Sequence, residues 1–342
     1  MASRPRPTQA SIAAQVGVSI QTVSNVINSP ELVKPETRSR VEAAIRAAGY
    51  RPSAAGRALR TRHAGAIGMR LHPVVDGING EVLDRFFHAV TQAAQDQGYR
   101  INLFTAPDAP AEVENLVGAH QAGVIDGAIL IDTGLNDPRP QLLTGAHLPF
   151  AAFGRPWGEL STRHSWVDVD GRAGTYQATR HLMAAGHSRI GFIGWPTSSA
   201  VGEDRRQGWL LAQAEAEPEP LQALTENQVR DGAAAAMELR ARGASAVVCA
   251  SDALAFGAMP VFADLIEPGQ ELPVIGFDNT PVARAVGLSS VEQPVEQAAA
   301  AVVAQLAEHI RQPDGFLGQG VILTPTLELR KWESMVASRP DS

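Results

Sequence analysis

Five residues on one short segment, Ile20, Gln21, Thr22, Ser24 and Asn25, are the first whose types and spacing suit a definite chemistry. Val23, Val26 and Ile27 take the inward positions of a helix from Ile20 to Asn28, which leaves those five facing outward. Amides and hydroxyls on the outer face of the second of two short helices are what a helix-turn-helix lays into a major groove. A helical hairpin with no nucleic-acid role is the lesser alternative on these features. Catalytic strings are absent: there is no Gly-x-x-x-x-Gly-Lys-Ser/Thr loop, no Gly-x-Gly-x-x-Gly fingerprint and no Gly-x-Ser-x-Gly elbow. The 9 histidines are scattered without a His-Glu-x-x-His pair, and His181 and His187 flank a helix end that Gly186 explains. Neither an enzyme nor a metal or other cofactor is expected.

The elements around that face follow from caps and breakers. Thr8 caps a helix from Gln9 to Val16 with Ile12, Ala13 and Val16 on one side, Gly17 ends it, and Ser19 caps the next. A third helix opens at Pro35 and stops before Gly49, with Val41, Ile45 and Ala48 as its buried stripe. Charge divides at the same place. Through His63 there are ten Arg or Lys against three Glu, a net +7, although the whole chain carries −7. A basic head on an acidic body suggests that only the head meets a polyanion, while a solvated basic tail fits the charge alone.

The string Ile12-Ala13-Ala14-Gln15-Val16-Gly17-Val18-Ser19, followed by Thr22-Val23-Ser24-Asn25-Val26-Ile27-Asn28, resembles the headpiece signature of LacI/GalR bacterial transcription regulators. Glu36-Thr37-Arg38, Val41, Ala44, Ile45, Gly49, Tyr50, Pro52 and Leu59 continue the pattern. The resemblance implies that Ile20, Gln21 and Asn25 meet base edges, and an amide can pair with adenine N6 and N7 while Ile20 touches a thymine methyl. Asn25 replaces the arginine common in that family, so the operators of other members do not carry over. Ser19, Thr22, Ser24 and Asn28 are assigned to phosphate oxygens. Residues 51–63 are similar to the family's hinge helix, whose leucine, here Leu59, wedges into a minor-groove step. Gly56 weakens that helix by roughly 1 kcal/mol relative to alanine.

From Gly65 onward, apolar runs at Ala66 to Leu71, Tyr99 to Phe104, Ala128 to Ile131, Ile190 to Ile193, Ala246 to Cys249 and Val274 to Phe277 alternate with helical patterns. This predicts parallel, doubly wound sheets in two blocks, one ending near Phe153 to Gly158 and one starting near Gly171, with a ligand cleft between them. Val167-Asp168-Val169-Asp170-Gly171, His181 to Ile190, Ser251 to Ala258 and Val274 to Asn279 resemble the effector-binding core of the same family. The expected architecture is an all-α helix-turn-helix headpiece (1–50), a hinge (51–63) and an α/β body of two doubly wound, periplasmic-binding-protein-like lobes (64–342).

By that resemblance Arg205, three residues before Gly208, is the pocket arginine, with Asp278, Ser251, Gln293 and Trp166 on other pocket positions. A surface ion pair is the plainer reading of an Arg and an Asp in loops. His72, just past the first strand, can donate to a hydroxyl. Phe153, Trp157, Trp166 and Trp195 sit near strand ends, where rings stack on sugar faces. The implied function is a repressor acting as a homodimer on palindromic operator DNA and released by a small effector. The aromatics lean toward a mono- or oligosaccharide, and a purine corepressor stays open. No charged amino terminus leads into an apolar run, and no eighteen consecutive residues are apolar, so neither secretion nor membrane insertion is expected. Cys249, the only cysteine, is read as a buried strand residue of a cytoplasmic protein. The tail after Leu329 lacks a leucine heptad, which argues against a coiled-coil tetramer.

Overall fold

The computed structural model describes residues 7–50, 63–71, 81–158, 163–214, 220–266 and 269–331. It divides into two compact units, Met1–Ala64 and Gly65–Ser342. The hinge with Gly56 and Leu59, the candidate His72 and the tail beyond 331 lie outside the described residues.

The first unit holds α1 (Gln9–Val16), α2 (Ile20–Asn28) and α3 (Pro35–Ala48). Thr8 caps α1 through a reciprocal box, Ser11 N donating to Thr8 Oγ1 at 3.1 Å and Thr8 N to Ser11 Oγ at 2.8 Å. Gly17 then turns the chain at φ 74°, a conformation free of penalty only in glycine. Ile12, Val23 and Val41 are fully buried at the centre. On α3 the buried pair is Val41 and Ala44, with Ile45 and Ala48 packed at the edge, because a stripe at i, i+3 fits this small core better than i, i+4. Arg40 Nη2 reaches across to Val16 O at 2.7 Å and ties α3 to the open carbonyl end of α1.

The second unit begins with β1 (Ala66–Arg70), α4 (Glu81–Asp96), β2 (Arg100–Phe104), α5 (Ala109–Gln121), β3 (Gly127–Leu130), α6 (Arg139–Gly145), β4 (Phe150–Phe153) and β5 (Ser165–Val169). It continues with α7 (Gly171–Ala184), β6 (Ile190–Gly194), α8 (Ala200–Ala212), β7 (Gln222–Leu224), α9 (Val229–Ala241), β8 (Ala246–Cys249) and α10 (Asp252–Phe262). Then follow β9 (Val274–Phe277), α11 (Pro281–Ala285), β10 (Ser289–Glu292), α12 (Val295–Arg311), β11 (Gly320–Leu323) and β12 (Thr326–Glu328). One sheet runs β2-β1-β3-β4-β5-β11, all parallel; the other runs β7-β6-β8-β9-β10-β12, parallel except for β12.

The lobes are not two consecutive blocks. Val167 to Val169, beyond the end expected for the first block near Phe153 to Gly158, form β5 of the first sheet, where Ala151 pairs with Ser165. Helix α12 also returns to the first lobe, burying Val302, Val303 and Leu306 with Phe86 and Val90 of α4. The chain therefore crosses between lobes three times, near Asp170, at Gln293-Pro294 and at Thr324-Pro325. Sequence alternation cannot show this, because strand pairing is decided by contacts distant along the chain. Cys249 is buried in β8 among Phe192, Trp209 and Phe277, and burial pushes its thiol well above the usual range. Among the described residues no single helix is long and apolar enough to cross a membrane.

Helices α7 and α8 touch at their backbones. A Cβ on Gly208 would overlap Arg172 O and Thr175 Oγ1, and Thr175 Oγ1 donates to Arg205 O at 2.6 Å. Gly208→Ala is expected to destabilise the body by about 2 kcal/mol, as overpacking does, despite alanine's better helix propensity. Urea unfolding of the purified protein measures it.

Candidate functional site

On the head, α2 starts at Ser19, whose Oγ accepts from Thr22 N at 3.0 Å and lies 2.9 Å from Thr22 Oγ1. This cap fixes the first turn and points Ile20, 53% exposed, and Gln21 outward. Gln21 Nε2 donates to Asn25 Oδ1 at 2.9 Å, so the two amides form a linked pair along one turn. Asn28 Nδ2 donates to Ser24 O at 2.6 Å. The structure thus brings Ser19, Ile20, Gln21, Thr22, Ser24, Asn25 and Asn28 onto one helix and its cap.

Within the body a cavity of about 280 Å³ opens between the lobes at the carboxyl ends of the strands. The first lobe supplies Asp132, Thr133, Phe153, Trp157 and Asp168; the second supplies Asp204, Arg205 and Phe277, with Gln293 on a crossover. Arg205 is 5% exposed. Its Nη1 donates to Ala250 O at 2.5 Å and stands 3.7 Å from Asp278 Oδ1. Its Cζ lies 3.7 Å from the centroid of Phe277 and 5.0 Å from that of Trp195, so the cation is sandwiched by π faces. Burial pulls its pKa down, although a guanidinium keeps its proton in any protein setting.

Asp278 stands behind this wall. It accepts from Gln293 Nε2 at 2.7 Å, and its backbone φ of 112°, with Asn279 at 48°, is rare for residues with side chains. A fully buried carboxylate holds that turn: Asp252 accepts from Thr280 N at 2.7 Å, Thr280 Oγ1 at 2.9 Å and Ser290 Oγ at 2.6 Å. Burial pushes Asp252 up to about 6 and Asp278 up to about 7.

Two of the expected residues have other work here. Ser251, 1% exposed, caps α10 through Leu254 N at 3.3 Å and donates to Asn227 Oδ1 at 2.5 Å. Trp166 lays its indole over Gly320 of the neighbouring strand β11 and is not among the residues lining the cavity. Sequence reasoning missed Arg155, Asp168 and Asp204. Arg155 Nε donates to Asp168 Oδ2 at 2.5 Å, and its Nη2 reaches across the cleft to within 3.6 Å of Asp204 Oδ2. Burial raises the Asp204 carboxyl, against the pull of Arg155 and Arg172. Asp168 lay inside a quoted motif and Asp204 adjoins Arg205; the signal was present, but nothing local marks an ion pair between lobes.

Three buried N–H donors around this site have no hydrogen-bond partner: Arg205 Nε, Trp157 Nε1 and Trp195 Nε1. Unpaired buried donors cost roughly 1–3 kcal/mol each, a burden that a ligand rich in oxygen removes. Carboxylates able to accept from hydroxyls, donors lacking acceptors and flat apolar rings together describe a binding site for a polyol, not a reaction centre.

Comparison with known proteins agrees with both halves. Residues 10–53 match the model for bacterial regulatory proteins of the lacI family, and residues 179–331 match that for a periplasmic binding protein-like domain. The HTH-type transcriptional regulator CelR of Thermobifida fusca is 35% identical over 312 residues, covering 86% of this chain and 89% of CelR. The chain belongs to the lacI family. The Escherichia coli regulator RafR, 37% identical over 232 residues, covers 67% of each chain. A solved complex of the regulator CelR with cellobiose superposes with a TM-score of 0.68 at 30% identity, covering 96% of this chain and all of that one. This lacI-family chain is a DNA-binding transcriptional regulator and not an enzyme, with a helix-turn-helix head on a two-lobed α/β body.

The raised carboxyls give a signed pH dependence. Because Asp278 binds its proton more tightly folded than unfolded, its contribution to stability is fully present below about pH 4 and is lost as pH rises through about 7. Wild type should lose stability relative to Asp278→Asn across that window in denaturant titrations. Asp252 adds a smaller slope of the same sign, ending near 6.

Proposed function

We propose that this regulator is a cytoplasmic, homodimeric repressor that grips a palindromic operator through α2 and lets go when a small neutral saccharide enters the cleft. The observation that carries the reading is the cluster of unpartnered donors beside carboxylates and aromatic faces at the interlobe cavity. The cellobiose complex of CelR is a property of that protein and supports the same class of ligand here.

In this reading Arg205 Nε and the indole N–H of Trp157 donate to ring or hydroxyl oxygens, while Asp168, Asp204 and Gln293 receive and orient hydroxyls. Asp278 holds Arg205 and Gln293 in place, and Ser251 and Trp166 support the walls. His72 remains a candidate from the sequence. A ligand between the lobes changes the separation of Arg155 from Asp204, the ion pair that spans them. Ligand and operator are then linked as a reciprocal coupling, typically about 1–3 kcal/mol. On the head, Gln21 and Asn25 read base edges, Ile20 packs on a thymine methyl, and Ser19, Thr22, Ser24 and Asn28 meet phosphates. Leu59 is the minor-groove wedge of a hinge that forms on DNA.

Fluorescence anisotropy on a palindrome selected from random DNA tests the scheme, titrating saccharides and purines at fixed salt. One saccharide should release the protein, and Arg205→Ala should raise the concentration required at least tenfold without unfolding it. Tightening by a purine would reverse the assigned sign and ligand. Gln21→Ala should weaken operator binding by about 1–3 kcal/mol while leaving the salt slope unchanged, because no phosphate contact is lost. A weaker slope would move Gln21 to the backbone.

A further inference from the structure

We propose that the cleft accommodates a saccharide of at least two rings, one in the inner cavity and the next in a separate outer chamber beside Thr197 and Ser198. This deepens the sugar-binding reading and rests on it. The outer chamber measures about 220 Å³, against about 280 Å³ for the inner one. Trp157 and Asp204 line both, so the two volumes lie against one shared indole and one shared carboxylate. Small-molecule sites run from about 300 to 1,000 Å³. The inner cavity alone falls just under that range, and the two volumes taken together fall inside it.

The two shared residues are held firmly. Asn136 N donates to Trp157 O at 3.0 Å, and Leu135 and Trp157 form a parallel bridge that closes two loops on each other. Gly158, at φ 86°, makes the turn after the indole, where any side chain would overlap Leu135 and Asn136. The guanidinium of Arg155 lies 4.6 Å from the centroid of the Trp157 ring and fixes its plane. Asp204 is fixed by Arg172 N at 3.0 Å. A rigid aromatic plate next to a rigid acceptor, with the indole Nε1 still unpartnered, matches the region around a glycosidic link. There an apolar ring face meets hydroxyls on the adjoining sugar.

Charge narrows the class further. In the outer chamber Glu203 is occupied by Arg206, at 2.7 and 2.8 Å, and by Gln207 Nε2 at 2.6 Å. Arg172 Nη2 stands 3.5 Å from Asp204 Oδ1. Every charge there has a partner within the protein, so the second ring is uncharged, not a uronic acid or a sugar phosphate. The hydroxyls of Thr197 and Ser198, both exposed in the loop before α8, are available to such a ring.

Titration calorimetry of the full chain with matched sets, glucose against cellobiose and maltose and galactose against melibiose and lactose, tests the assignment. For the set that binds, the disaccharide should bind at least tenfold more tightly than its monosaccharide. Ser198→Trp, which fills the outer chamber from an exposed position, should bring the two within threefold of each other. Equal affinities in the wild type, or a Ser198→Trp protein that keeps the full disaccharide preference, would overturn the two-ring site and leave a monosaccharide site standing. Absence of heat with all six sugars, from protein that still binds its operator, would instead remove the sugar reading itself.

Discussion

A guanidinium cannot shed its charge on burial, so enclosing one commits its surroundings to compensating it. Arg205 imposes that demand on the second lobe. Ala250 O and Asp278 meet its Nη1, Phe277 and Trp195 cover its faces, and Asp252 holds the strained turn on which Asp278 rides. Helix α8, which carries it, is pressed onto α7 at Gly208 and fastened by Thr175. Its Nε is buried without a partner, in a residue that lines the cavity. A buried charge that keeps a donor unpaired beside the cleft is a recognition group.

The first lobe answers with Arg155, which serves two carboxylates, Asp168 on its own side and Asp204 opposite. The walls therefore hold more acceptors than cations. Hydroxyl donors suit such a surplus, while an anionic ligand would have to displace it. The same ion pair spans the opening, so occupancy of the cleft and the relation between lobes depend on shared atoms.

The head was legible almost residue by residue because everything that defines it is local: Thr8, Gly17, Ser19, Pro35 and Gly49 punctuate three helices within a few residues of their effects. Strands β1, β2, β3, β6, β8 and β9 were legible within about a residue, but the other strands were not named and the membership of β5 and α12 in the first lobe was not legible, since a strand's neighbours are chosen across the whole chain. Arg205 and Gln293 line the interlobe cavity. Ser251 shows a limit of position-matching: a serine directly before a helix is claimed by the cap. The pairing of Arg155 with Asp204 was not legible, since it joins residues of two lobes far apart in the chain.

Two of the three crossovers lie side by side, Asp170 N donating to Leu323 O at 2.9 Å and Pro325 packing near Gly174. Three short straps joining two lobes act as a flexure: they resist sliding and permit the lobes to turn. Gln293 sits on a strap, so a ligand atom bound there moves little as the lobes turn, whereas one bound to Trp157 or Asp204 rides on a lever arm. Such a cleft measures the breadth of whatever fills it and expresses that breadth as an angle.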